Sequence, residues 1–307
     1  ALKGYMNQDL KMAIIGAGVF GSYYAEKCFL NPNAVLVGLY DQNLPKAEFL
    51  AKKYNARAYS NLDEMLLDVN AVIIASPATS HGDLAIKCLN LNKHCLIEKP
   101  IASNLAQAKE ILSLSDMKPI VVQIGHQERV ILKTIGIDNL PEKPRRIISQ
   151  RLTAPSERGR DVSVSLDLMI HDLDLILMLM QEEPEYIIRR KNIGIRDFFH
   201  HSSAELKFKN AVATLTADRT SNVNKRIMEL VYPSGFIKID FHNKKIIHNT
   251  PFKLNENFSE NEDVKDSLKT ATNSFIESIL LGNKVTVSSK DGYNALKLAL
   301  KIDEDLV

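Results

Sequence analysis

The sequence predicts an α/β protein in two parts: a doubly wound parallel sheet over residues 1–122, then an α+β domain over residues 123–307 with an open, mostly antiparallel sheet. Three observations predict it. Up to Ile124, short apolar runs alternate with helical stretches, the rhythm of parallel strands joined by crossover helices. Beyond it, runs of alternating polarity follow one another through turn residues such as Lys209-Asn210 and Pro233-Ser234-Gly235, the pattern of hairpins. At 307 residues with 45% apolar content, the chain is long enough for two cores rather than one.

In chain order, residues 13–15 read as a buried strand that runs into Gly16-Ala17-Gly18-Val19-Phe20-Gly21 and then a helix. Gly16 permits the tight turn, Gly18 lets the backbone approach a pyrophosphate, and Gly21 lets the helix pack on the strand. The helix N-terminus adds unpaired N–H groups and the positive end of its dipole. A second strand, 35–40, ends in Asp41, about 20 residues past the last glycine, where a carboxylate can hold a ribose 2′-hydroxyl. This strand-turn-helix-strand-Asp order predicts a Rossmann dinucleotide-binding domain. Gly16, Gly18, Val19, Phe20, Gly21 and Asp41 are its cofactor contacts. NAD is expected over NADP, because Asp41 repels a 2′-phosphate and the following Gln42-Asn43 supplies no arginine.

Helices follow at 45–54 and 61–68 around a short extended piece at 57–59, then a buried strand at 71–75. Ser76, Pro77 and His81 lie in the loop after that strand, where the carboxyl end of a parallel strand meets the ligand crevice, and are expected as further cofactor contacts; Pro77 and Ser80 also suit a strand end and a helix cap. A helix at 82–92 and a strand at 94–97 lead to Glu98-Lys99-Pro100, followed by a helix at 103–114 and a strand at 120–124. The second part opens with a helix at 162–181. Strands are then expected at 185–190, 203–209, 211–219, 226–231, 236–241 and 244–249, and helices from the polar connector 255–263 to Gly282 and over 289–305. An open antiparallel sheet covered on one face leaves the other available, so a homodimer or homotetramer through this sheet is expected.

Composition excludes several classes. A net charge of +2 with interspersed signs argues against a nucleic-acid surface. Cys28, Cys88 and Cys95 are an odd number without CxxC spacing, which suggests neither a disulfide framework nor a zinc site and fits a cytoplasmic protein. The most apolar stretch, 166–180, is interrupted by Asp167, His171, Asp172 and Asp174, so no membrane span is expected, and the first ten residues lack the apolar core of a signal peptide.

Hydride transfer to a nicotinamide needs a group that removes the proton from the reacting hydroxyl. Lys99 sits at the ligand end of a predicted central strand, and a lysine partly removed from water beside a cationic ring can serve as that base. Glu98 and Pro100 would fix its backbone, and Glu98 and Lys99 are also expected among the cofactor contacts. Asp167 and His171, four apart on one helical face, form a second candidate in which the carboxylate orients the imidazole. With Asp172 and Asp174 beside them, a divalent metal is the alternative, but no further His or Cys stands at ligand spacing and no metal is expected. Arg129, Arg151, Arg158 and Arg160 flank this segment, and guanidinium forks suit phosphate and carboxylate oxygens. Either they bind an anionic substrate such as a nucleotide-activated sugar, or they are solvated.

Taken together, GAGVFG with Asp41, then Glu98-Lys99-Pro100, then Asp167-x-x-x-His171 resemble the Gfo/Idh/MocA family of oxidoreductases. The resemblance covers nearly the whole chain. It implies a Rossmann domain followed by an α/β domain with an open oligomerising sheet and a sugar or cyclitol substrate between them. It also implies a catalytic set of Lys99, Asp167 and His171, and a cis bond before Pro100. Gly125-His126-Gln127-Glu128-Arg129 and Arg158-Gly159-Arg160-Asp161-Val162 resemble more narrowly the UDP-N-acetylglucosamine 3-dehydrogenase branch. That resemblance implies oxidation at C3 of a UDP-sugar to a 3-keto product for a partner aminotransferase. It places His126, Arg129, Arg151, Arg158, Arg160 and Asp161 with Lys99, Asp167 and His171 around the substrate. A dehydrogenase of a free sugar or inositol is the alternative within the family, and a sugar-sensing regulator without turnover the alternative outside catalysis.

Overall fold

The computed structural model describes residues 10–157 and 159–304. The chain divides into two compact units: residues up to Gln127 with Asp266–Tyr293, and Glu128–Lys265 with the residues from Asn294 on. The chain leaves the first unit after Gln127 rather than at residue 122, because the strand Val122–Ile124 belongs to the first sheet. A segment from far along the chain, Asp266–Tyr293, completes that unit.

In the first unit, strands β1 (Leu10–Ile15), β2 (Ala34–Tyr40), β3 (Arg57–Tyr59), β4 (Ala71–Ile74), β5 (His94–Ile97) and β6 (Val122–Ile124) form one parallel sheet in the order β3-β2-β1-β4-β5-β6. Helices α1 (Val19–Leu30), α2 (Leu44–Tyr54), α3 (Leu62–Asp68), α4 (His81–Asn90) and α5 (Leu105–Met117) alternate with them. Local chemistry sets their ends. Pro45 stands in the first turn of α2, the Asn61 side chain accepts from the Asp63 and Glu64 amides at the start of α3, and Asn104 accepts from the Gln107 amide at the start of α5. β4 is buried at every position, as a central strand covered on both faces must be. The core holds Met12, Ile14, Tyr24, Leu39 and Ile73 together with Phe275 and Ile276 from the returning segment.

The second unit contains α6 (Arg129–Ile135) and β7 (Arg146–Leu152), neither of which was expected from the sequence. The π-helical turn Ser165–Met169 and α7 (Ile170–Met180) follow. The strands are then β8 (Tyr186–Ile193), β9 (His201–Phe208), β10 (Ala211–Asp218), β11 (Lys225–Tyr232), β12 (Gly235–Asp240) and β13 (Lys245–His248). Their order is β13-β12-β11-β7-β10-β9-β8, antiparallel throughout except that β10 runs parallel to β7. The sheet is thus mixed but mostly antiparallel, with β7 at its centre. Hairpins close between Phe208 and Ala211 and between Tyr232 and Gly235, at the two expected turns. Alternation buries one face, including Ile147, Leu206, Leu215, Met228 and Leu230, and leaves Gln150, Thr214, Thr216 and Glu229 half-exposed on the other. The remaining helices are α8 (Glu262–Lys265), α9 (Ser267–Leu281) and α10 (Ser289–Asp303). None of the described helices is long and apolar enough to cross a membrane.

Candidate active site

Sheet register places the candidates of the first unit. Ile15, Tyr40, Ile74, Ile97 and Ile124 form a single row across five strands. The next residue of each strand therefore reaches the same carboxyl edge: Gly16, Asp41, Ala75, Glu98 and Gly125. Backbone bonds close the row, from Gly16 N to Tyr40 O (2.8 Å), Ala75 N to Ile15 O (2.8 Å), Glu98 N to Ile74 O (2.9 Å) and Gly125 N to Ile97 O (2.8 Å). β1 and β4 are neighbours at the point where the strand order reverses, which is where open α/β sheets present a crevice.

Two of the three glycines stand where backbone approaches backbone. Gly16 has φ of +101°, and a Cβ there would lie 2.6 Å from the Ser76 amide nitrogen. A Cβ on Gly21 would fall on the Gly16 carbonyl oxygen, so this position sets the approach of α1 to the turn. Gly18 is the N-cap of α1, with nothing within 4 Å of where its Cβ would stand, and Val19 and Phe20 are exposed in the first turn. An open backbone cradle at a helix N-terminus fits a pyrophosphate. Asp41 Oδ2 accepts from Ala17 N (2.7 Å) and Oδ1 from Asn43 N (2.8 Å), which fixes the carboxylate beside the turn and leaves lone pairs for ribose hydroxyls. Ser76 and Pro77 begin the loop after β4, where the Ser76 and Ser80 hydroxyls are 2.6 Å apart.

Glu98, expected among the cofactor contacts, is buried at this edge. It accepts from the Tyr24 hydroxyl, from Gln127 Nε2 (2.8 Å) and from the Lys99 amide (3.2 Å). Gln127 Nε2 also donates to the Tyr24 oxygen (2.8 Å). Burial raises the Glu98 carboxyl above the ordinary value, with the Tyr24 hydrogen bond the largest opposing influence, and burial also drives the Tyr24 phenol well up. The network therefore anchors the backbone of Lys99, which is half-buried and joined to Pro100 through a cis peptide bond.

Tyr24→Phe should cost about 1–3 kcal/mol by leaving a buried acceptor short of a donor. The phenol lowers the folded-state pKa of Glu98, so its removal raises that pKa further above the unfolded value. The loss is thus smallest in acid, where Glu98 is protonated in both proteins, and grows as pH rises through the Glu98 ionisation. Urea unfolding of both proteins across pH measures it; a pH-independent difference would remove Glu98 from the explanation. His126, next after Gly125 at the end of β6, is buried in the same unit.

The second unit carries the other candidates. Asp167 lies in the π-helical turn and His171 in the first turn of α7, both half-buried. Single π-turns recur at functional sites because the inserted residue re-aims its neighbours. Gly159, with φ of +68°, packs so closely on Asp167 that a Cβ would overlap the carboxylate. Arg219 ties this corner together. Its guanidinium donates to the carbonyls of Gly159, Val162 (2.9 Å) and Phe199 (3.1 Å), and Nη1 stands 3.7 Å from Asp167 Oδ2. Burial lowers its pKa, with Asp167 the first influence opposing the shift. The sequence places Arg219 only at the end of a strand.

The arginines separate into two kinds. Arg151, fully buried on β7, is bidentate to Glu128 (2.9 and 2.6 Å) and also bonds Asp172 (2.8 and 3.3 Å). The pull of Asp172, then Glu128, outweighs burial and raises its pKa. Arg129, also buried, is bidentate to Asp174 (2.8 and 2.6 Å). Arg129 and Arg151, expected as substrate contacts, thus have carboxylates in their forks: buried Asp174 for Arg129, and half-buried Glu128 with buried Asp172 for Arg151. Asp172 and Asp174, the residues that raised the metal alternative, are two of the three carboxylates concerned. Arg160 remains exposed, bonding the Ser156 carbonyl (2.7 Å) and pairing with Glu157 (3.1 Å), and Asp161 is half-buried beside it. Arg158 lies outside the described residues.

Residues 10–126 match the model of an oxidoreductase family with an NAD-binding Rossmann fold, Gfo/Idh/MocA. The chain is 30% identical over 243 residues to UDP-N-acetylglucosamine 3-dehydrogenase of Acidithiobacillus ferrooxidans, covering 77% of this chain and 76% of that one. The solved structure of that enzyme superposes with a TM-score of 0.85 at 27% identity, over 96% of this chain and 97% of the other. Myo-inositol 2-dehydrogenase of Thermotoga maritima is 25% identical over 97% of this chain and 96% of its own length. The WlbA dehydrogenase from Bordetella pertussis, solved with NADH and UDP-GlcNAcA, shares the fold at a TM-score of 0.84 and 14% identity, over 96% of this chain and 95% of that one.

Proposed function

Because the chain belongs to the Gfo/Idh/MocA family of oxidoreductases, with an NAD-binding Rossmann domain as its first unit, we propose that it oxidises a secondary hydroxyl of a nucleotide-activated sugar, C3 of UDP-N-acetylglucosamine. The observation that carries this reading is the similarity to UDP-N-acetylglucosamine 3-dehydrogenase, which runs through about three quarters of both chains rather than the dinucleotide-binding part alone. Dehydrogenation of a sugar, cyclitol or nucleotide sugar is named for several of the relatives.

NAD, when bound, accepts the hydride released from the carbinol carbon. The oxidation also frees the hydroxyl proton, which Lys99 or His171 takes, so that a carbonyl replaces the alcohol. Asp167 orients the imidazole through the helical spacing of the pair. Glu98 holds the Lys99 amide, and the Gly16 turn with Asp41 would hold the dinucleotide. Arg160, whose guanidinium is exposed, is the described arginine suited to a substrate diphosphate. The 3-keto product is suited to capture by an aminotransferase.

The filled forks of Arg129 and Arg151 favour a second reading, oxidation of an uncharged sugar or cyclitol, since they remove two cations from the pool open to phosphate. NADH formation from NAD with UDP-N-acetylglucosamine, myo-inositol or glucose distinguishes the two. Turnover confined to the UDP-sugar is expected. Turnover confined to myo-inositol or glucose would replace the first reading by the second. NAD binding without turnover of any of the three would return weight to a sensing role.

A further inference from the structure

His81 opens α4 and is buried, with both ring nitrogens aimed at backbone carbonyls. Nδ1 lies 2.7 Å from the Pro100 oxygen and Nε2 2.8 Å from the Ser76 oxygen. A carbonyl oxygen can only accept, whereas a neutral imidazole carries a proton on one nitrogen alone. A neutral ring would therefore oppose a nitrogen lone pair to an oxygen lone pair at one of these two contacts. The imidazolium satisfies both.

Two effects work against that charge, burial and the positive end of the α4 dipole. Two charge-assisted hydrogen bonds, each stronger than its neutral counterpart, work for it. The carboxylates nearest along its own helix and in the Pro100 segment are engaged elsewhere: Asp83 accepts from Gln107 Nε2 (2.8 Å), and Glu98 accepts from Tyr24 and Gln127. Lys99 is the neighbouring cation in the Pro100 segment.

The carbonyls that His81 joins belong to the segments leaving β4 and β5, Ser76 directly after Ala75 and Pro100 directly after Lys99. We propose that His81 is a doubly protonated bracket that fixes the Lys99-Pro100 segment against Ser76, a positioning residue for Lys99 rather than a contact to the dinucleotide. The inference rests on Lys99 as a reacting group for its kinetic consequence, but not for its geometry.

The first test uses the cofactor-free protein labelled with ¹⁵N-histidine, with His81 assigned by comparison with His81→Gln. Both ring nitrogens of His81 should carry slowly exchanging protons at neutral pH, and a ring with one bare nitrogen would overturn the bracket. In H81Q, which keeps a single donor, the backbone amide signals of Ser76 and Lys99 should both move; unchanged signals at Lys99 would also overturn it. With the UDP-sugar as substrate, kcat should fall by about tenfold to a hundredfold, the cost of a small misplacement of a reacting group, while the NAD dissociation constant stays close to wild type. A rise in that constant matching the fall in kcat would mark His81 as a cofactor contact instead. If wild type does not turn over the UDP-sugar, the substrate reading fails while the ring spectrum still decides the bracket. If H81Q does not fold, the ring spectrum of wild type decides it, with assignment from His81→Asn.

Discussion

Lys99→Ala should lower kcat by about a hundredfold to ten-thousandfold, the range that a positioned acid–base group contributes, while NAD still binds with nearly wild-type affinity. The expectation follows from what touches what. The proposed pyrophosphate cradle is backbone from Gly16 to Gly21, and the proposed ribose contact is Asp41, whose partners are the Ala17 and Asn43 amides, so shortening Lys99 disturbs neither. The Glu98 network bonds the Lys99 amide rather than its side chain and persists in the variant. Lys99→Arg keeps charge and length but holds its proton too tightly to act as a base, so it should be nearly as slow as alanine. His171→Ala is the control that separates the two proton acceptors. If K99A keeps most of its activity and H171A loses it, the base is the histidine.

Arg151→Met should destabilise the second unit by about 3–5 kcal/mol, because it leaves the Glu128 and Asp172 carboxylates facing one another in a buried site without their common cation. Arg151→Lys should recover only part of this, since an ammonium cannot satisfy two carboxylates with the planar geometry seen here. Replacing all three charges together, R151M with E128L and D172L, should recover most of the loss, because the desolvation cost of the ions disappears with them. Urea unfolding followed by circular dichroism reads all three. A single variant R151M as stable as wild type would show that the cluster contributes nothing to the fold. Asp172 directly follows His171 at the start of α7, so weakening the cluster also loosens the helix that carries a candidate acid–base group.

The parts of the site legible in the sequence are those built by neighbours along the chain. Gly16, Gly18 and Gly21 lie within one turn, and Asp41 directly follows the apolar run of β2. Lys99 follows a strand whose apolar run ends visibly at Ile97. What escaped is nonlocal. β7 reads as polar because Arg146 and Arg151 punctuate it, and Arg151 becomes a core residue only through Glu128 and Asp172, each more than twenty positions away in sequence. Tyr24 looks like any apolar position of α1 until Glu98 and Gln127 arrive at its hydroxyl. Arg219 gains its role from carbonyls brought in by the loop before α7. Charges in a pattern announce that something is paired, and only the fold says with what.

The return of Asp266–Tyr293 to the first unit has a consequence for how the protein is made. Phe275 and Ile276 pack with Met12, Ile14 and Tyr24, Gln123 Nε2 bonds the Ala271 carbonyl (2.9 Å), and Ile124 N bonds the Val287 carbonyl (3.1 Å). On the ribosome, the parallel sheet emerges long before the helix that seals it. The growing chain must carry an unfinished nucleotide-binding domain while the whole second sheet is being translated. That second unit is incomplete in turn until the residues after Tyr293 appear. Neither half can reach its native core until α9 and α10 leave the exit tunnel, which ties the maturation of cofactor binding to prior synthesis of the whole second sheet.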